Sequence, residues 1–338
     1  MPHRGDDGQS DRLLVQGAAS WYLHTAEAAD RVLIPRRQRP PLGVPGPGIE
    51  PLAFASYEEA FDWCETERVN LAAAIQHAAA AGNDVIAWQL PAALGAYLKL
   101  SRRWDDWMAT HRTGLAAARR LADRAAEAWL LTSLGGAHGD LRQFAEADEC
   151  FQRALVLRAE FGDLPGEAAT LLNMGFLRWK QHQFGEGIRC FRRTLAIARE
   201  IGDAYVEAMA LNNLGEAYQE LGRHGEALDH LRQALAIFRA TGDRYNEAMT
   251  LDSLGNAQVG MEHYDEGLAL LRDALALRRQ AGDRMGEADT LSRLAGALHD
   301  KGEASAARES WRLALVIFDE LGAPQADEIR IRLTAAAD

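Results

Sequence analysis

Apolar residues in this chain recur at helical spacing, and the recurrence itself repeats every forty residues. Between 204 and 221, Ala208, Leu211, Leu214 and Tyr218 mark one apolar stripe, and Ala227, Leu231 and Ala234 form a second after a turn at 221–224. The same joint appears at Gly162-Asp163, Gly202-Asp203, Gly242-Asp243 and Gly282-Asp283. Behind it come Leu134-Gly135, Met174-Gly175, Leu214-Gly215, Leu254-Gly255 and Leu294-Ala295, then a bulky residue at Phe151, Phe191, Leu231, Leu271 and Trp311. A period of this size, held through five copies, predicts an all-α array of helical hairpins. Each unit of such an array buries its apolar face against its neighbours.

The elements follow from local signals. A helix is predicted over Leu13 to Ile34, ended by Pro35. Residues 40–51, with five prolines and three glycines, read as an extended connector. Ser56 and Glu59 form a capping-box pattern for a helix running to about Ala81. Gly82, Ala122 and Gly162 share a register, so the array extends to a degenerate first unit, and six units are expected over 83–322. Asp203 belongs at an N-cap, Glu207 in the first turn, and Gly242 at a left-handed C-cap. The domain plan is an N-terminal helix and Pro-rich linker over 1–51, a capping helix over 52–82, the array, and a closing segment over 323–338 with a helix at 326–337.

Charge and chemistry narrow the function. A net charge of −12, from 49 acidic and 37 basic residues, argues against a nucleic-acid or anionic-membrane surface. Cys64, Cys150 and Cys190 make no disulfide framework and are expected reduced and buried in a cytoplasmic chain. Neither a signal peptide nor an apolar run long enough to span a membrane is present. No phosphate-binding loop, His-Glu-x-x-His pair, nucleophile elbow or paired Cys-x-x-Cys occurs, and the histidines are scattered. These absences point to a non-enzymatic chain with no cofactor and no metal.

Leu211-x2-Leu214-Gly215-x2-Tyr218, followed by Ala227-x3-Leu231 and Ala234, resembles the tetratricopeptide repeat. The forty-residue form, with Arg239 where the shorter repeat carries proline, resembles the repeats of kinesin light chain and of bacterial signalling regulators. The resemblance implies a right-handed α-α superhelix in which Gly215 and Ala227 mark the crossing of two helices and Leu231 fills the gap towards the next unit. Over 83–122 it weakens, with Pro91 and Trp107 replacing Leu and Ala. The segments Tyr22-Leu23-His24-Thr25, Trp63-Cys64-Glu65, Asn70-Leu71 and Trp104-Asp105-Asp106-Trp107 add a second resemblance. They are similar to the C-terminal arm of actinobacterial NB-ARC regulators, including the Streptomyces antibiotic regulatory protein type. That resemblance implies a sensor arm working with an ATPase and DNA-binding module in cis or in trans.

In tetratricopeptide arrays the first helix of each unit lines a concave groove. By that register the groove carries Trp129 and Thr132, then Ala169, Leu172, Phe176 and Trp179, then Met209, Asn212, Glu216 and Gln219, then Met249, Asp252 and Asn256, flanked by Asn173 and Asn213. Phe176 and Trp179 break the buried pattern and read as interface anchors. The expected partner is a protein or peptide, basic or apolar rather than acidic, held without nucleic acid or membrane. A homodimer through 323–338 or Leu13–Ile34 is a further candidate; a stand-alone scaffold or peptide-pheromone receptor is the alternative role, and an enzyme with an unrecognised site the lesser one.

Overall fold

The computed structural model describes residues 7–335, with side chains from 17 onward. Sixteen helices and no strand occur among the described residues. The fold is an all-α solenoid of repeated helical hairpins, as the forty-residue period requires. The chain divides into two compact units, 1–177 and 178–338, each taken in turn.

The first unit begins with α1 (Asp7–Leu33) and α2 (Tyr57–Ala80), followed by α3 (Asp84–Ala93), α4 (Gly95–Leu100) and α5 (Trp104–Arg120). Ser56 caps α2 by accepting from Glu59 N at 3.2 Å, while Glu59 accepts from Ala55 N at 2.8 Å. The connector carries no regular structure after residue 37 and is tied back to α1. Trp21 Nε1 donates to Glu50 O at 2.9 Å, and Leu52 N to Thr25 Oγ1 at 3.2 Å. Asp30, buried, pairs with both Arg37 and Arg39. Pro91 accounts for the split first helix of the degenerate hairpin: it cannot donate to Ala87 O, and the helix breaks at Leu94. Trp107 lies buried, its indole donating to Ser133 Oγ at 2.9 Å. His111 is fully enclosed beside Arg37, and burial pushes its pKa down to about 3. Then come α6 (Arg124–Asp140), α7 (Phe144–Phe161) and α8 (Leu164–Lys180), the last running across the division.

The second unit holds α9 (Phe184–Ile201), α10 (Ala204–Glu220), α11 (His224–Thr241), α12 (Arg244–Gly260), α13 (Tyr264–Ala281), α14 (Arg284–Asp300), α15 (Ala304–Glu320) and α16 (Gln325–Ala335). The closing helix thus starts one residue earlier than expected, and residues 336–337 of the expected span lie outside the described residues.

Each joint works as its residue types dictate. Asp203, Asp243 and Asp283 accept from the backbone N of Val206, Asn246 and Gly286 at 3.0, 3.2 and 2.9 Å. Gly202, Gly242 and Gly282 close the preceding helices in the left-handed region, at φ of 73°, 67° and 68°. Arginine near the end of one helix pairs with glutamate in the first turn of the next: Arg199–Glu207 at 2.7 Å, Arg239–Glu247 at 2.9 Å and Arg279–Glu287 at 2.7 Å. The glutamate also sits where the helix dipole favours it.

Three expectations are corrected. α1 begins at Asp7 rather than Leu13, because its polar first turns carry no apolar periodicity. Leu231 packs over Gly215 within its own hairpin rather than towards the next unit; a Cβ on Gly215 would lie 2.4 Å from Leu231 Cγ. Cys64 is buried, its pKa pushed to about 12 by desolvation, but Cys150 and Cys190 are only half-buried.

Candidate binding groove

In the second unit the first helices of successive hairpins, α10, α12 and α14, pack side by side and share a layer of polar groups. Thr250 Oγ1 donates to Asn212 Oδ1 at 3.0 Å. Asn212 Nδ2 and Ser253 Oγ both donate to Glu216 Oε1, at 3.2 and 3.0 Å, and Gln219 Nε2 donates to Ser253 O at 3.0 Å. One repeat on, Asp252 Oδ2 accepts from Arg278 Nε at 3.1 Å, Arg278 NH2 at 2.5 Å and Thr290 Oγ1 at 3.0 Å. Arg293, largely exposed, approaches the same oxygen at 3.5 Å.

The layer divides the expected groove residues. Asn212 and Asp252 are fully buried, and their polar atoms join adjacent hairpins. Met209, Glu216, Gln219 and Asn256 remain half-buried on the same helices. Asn213 is buried too, and its Nδ2 meets no acceptor. Electrostatics follow burial. Desolvation raises the Glu216 carboxyl above its usual range despite hydrogen bonds from Ser253 and Asn212 and the charge of Arg293. Desolvation also raises Asp252 against Arg293 and Arg278, and Asp289 against the same two cations. The face is acidic in excess of its cations.

In the first unit, Trp129 is half-buried with its ring centroid 6.0 Å from Arg158 Cζ. Asn173 turns back on its own helix, donating to Ala169 O at 2.9 Å, and so spans no gap between hairpins. On α8, Phe176 and Trp179 are each 38% exposed. Among the described residues no group of three or more His, Cys, Asp or Glu could hold a metal ion, and no helix is long and apolar enough to cross a membrane.

Sequence reasoning missed two arginines that reach from a second helix to the first helices of their own unit, Arg158 to Thr132 and Arg278 to Asp252. Arg158 and Arg278 lie three periods apart and stand where Ala198, Phe238 and Phe318 stand in other copies. Each is followed eight residues later by a glycine, Gly166 or Gly286, where other copies carry Val206 and Asn246. That paired departure from the repeat was the available signal.

Residues 166–240 and 207–280 match one model of the tetratricopeptide repeat, and residues 128–162 match another. These stretches are tetratricopeptide repeats. Solved structures with the same fold include BtubC (BKLC) from P. vanneervenii, 19% identical over 65% of this chain and 92% of that one, at a TM-score of 0.58. A Rap protein complexed with competence and sporulation factor is 14% identical over 75% of each chain, at 0.56. A signal transduction ATPase with numerous domains, carrying a tetratricopeptide repeat sensor, from Pyrococcus horikoshii is 12% identical over 82% of this chain and 52% of that one, at 0.52. No curated protein matches the sequence.

Proposed function

We propose that the tetratricopeptide array is a non-catalytic recognition module that holds a partner protein or peptide segment on the face of α10, α12 and α14. The observation that carries this reading is the Asn213 amide, a buried donor without an acceptor. It lies on the helix that also presents half-buried Met209, Glu216 and Gln219. Buried donors are nearly always satisfied, so an unsatisfied one beside an open face suits an acceptor supplied by a partner, such as a peptide carbonyl. Met209, Asn213, Glu216, Gln219 and Asn256 are the proposed contacts, with Asn212 and Asp252 holding the hairpins that present them. Phe176 and Trp179 are proposed as apolar contacts of their own helix. The excess of carboxylates favours a basic or apolar segment.

The wider role we propose is that of a sensor arm in a signalling regulator, on the resemblance to NB-ARC arms. A tetratricopeptide sensor in a signalling ATPase supports it in kind, and a Rap protein complexed with competence and sporulation factor supports the receptor alternative. A photo-crosslinking residue placed at Met209, and separately at Val156 as an exposed control, tests the site in cells of the source organism. A partner linked from position 209 alone supports the reading. Linkage from 156 alone, or from both equally, overturns it.

A further inference from the structure

Arg158 and Arg278 hold the same register of α7 and α13, yet they are satisfied differently. Both are buried, with side chains 3% and 10% exposed. Each passes through a gap opened by a glycine: a Cβ on Gly166 or Gly286 would overlap the guanidinium. Each sends NH1 to the capping aspartate of the next helix, Asp163 or Asp283. The difference lies on the other edge of the guanidinium.

In the second unit that edge is filled by the protein itself. Asp252 Oδ2 gathers Arg278 Nε, Arg278 NH2 and the Thr290 hydroxyl. In the first unit the residue three periods before Asp252 is Thr132, and the one three periods before Thr290 is Thr170. Arg158 Nε meets no acceptor, and its NH2 has Thr132 Oγ1 at 3.4 Å. The Thr132 and Thr170 hydroxyls lie 3.0 Å apart, and each also donates to a carbonyl of its own helix. The donors that hold a carboxylate oxygen in one unit are thus repeated in the other, where the side chain at the aspartate position is a threonine. Consistent with this, burial pulls the Arg158 pKa below the ordinary arginine value, whereas Asp252 and Asp283 hold that of Arg278 above it. Trp129, its ring centroid 6.0 Å from Arg158 Cζ, and Thr132 border the edge, and both are half-buried rather than enclosed.

We propose that Arg158, Thr132 and Thr170 form a carboxylate-binding subsite on the first unit, with a ligand carboxylate taking the role that Asp252 plays for Arg278. The Nε–NH2 edge of a guanidinium offers two parallel donors, which a planar carboxylate matches better than a spherical anion does. A chain terminus and an aspartate or glutamate side chain present the same chemistry. The subsite is independent of the α10–α14 face, and either assignment stands or falls without the other.

The Nε–H signal of Arg158 in a 1H–15N correlation spectrum of the full chain reads the proposal directly. The probes are N-acetylglycine for a chain terminus, N-acetylaspartate amide for a side chain, and neutral N-acetylglycinamide. The expected result is a saturable shift with at least one carboxylate and none with the neutral amide; the stronger probe names the source. Thr132→Asp supplies the carboxylate internally. It should move the Arg158 signal towards that of Arg278 and weaken the probe response at least ten-fold, with helicity unchanged by circular dichroism. A signal that ignores both carboxylates, or that moves equally with sodium chloride at matched ionic strength, overturns the proposal. So does a Thr132→Asp chain that still responds like the parent.

Discussion

The hydroxyl of Thr250 on α12 donates to the side-chain carbonyl of Asn212 on α10 across 3.0 Å, and neither side chain reaches water. A buried polar bond between two repeats is satisfied at one relative position of the helices. Asn212→Ala removes an acceptor from Thr250 and a donor from Glu216, so we expect a loss of about 1–3 kcal/mol. In an array whose stability is shared between neighbours the loss stays local. Amide exchange should quicken in α10 and α12 by roughly five-fold to a hundred-fold, at about 1.4 kcal/mol per factor of ten, and far less in α15. Uniform acceleration along the second unit would contradict this.

Glu216 has its carboxyl raised chiefly by desolvation. For a folded pKa above the unfolded one, stability is fully present below the unfolded value and declines as pH rises through the folded value. Glu216→Gln keeps an oxygen for Ser253 and Asn212 and removes the charge. The variant should therefore melt higher than the parent at neutral pH, and the gap should close as pH falls below the ordinary glutamate range near 4.5. Melting curves at stepped pH check it; a gap that widens on acidification would refute the assignment.

Glycines in these helices serve different ends. Gly215 lies under Leu231, so Gly215→Ala overpacks the hairpin and should cost about 1–3 kcal/mol. At Gly296 a Cβ would meet nothing within 4 Å. Gly296→Ala should instead stabilise α14 by up to about 1 kcal/mol through helix propensity. Denaturant titrations of the two variants should move in opposite directions.

Ala122 closes α5 at φ 54°, the left-handed conformation that glycine adopts at Gly82 and Gly162. The strain at a non-glycine residue there is about 1 kcal/mol. Ala122→Gly should raise the melting temperature by a few degrees, the gain being partly offset by the greater freedom of glycine when unfolded.

The hairpins were legible because the period repeats every signal: an aspartate cap, a small residue at the crossing and a glycine at the end. Gly215 could be placed at the helix crossing by spacing alone, but the packing of Leu231 over it could not. The burial of Asn212 and Asp252 was not legible, since a helix places both on the face that also carries Met209 and Glu216. Whether such a side chain meets solvent depends on how closely the next hairpin packs, and on Thr250 and Arg278, which lie far along the chain. The buried role of Arg158 likewise rests on Gly166 making room for it. Single-residue hydropathy places an arginine outside.

The pairing of Arg199 with Glu207 and of Arg239 with Glu247 makes the joints of the second unit interchangeable. Excising 203–242 would set Gly202 directly before Asp243 and place Arg199 eight residues ahead of Glu247, as Arg239 is now. Unequal exchange within the gene can therefore add or delete a whole copy without inventing a new connection. The number of copies is then open to selection separately from the chemistry each copy displays.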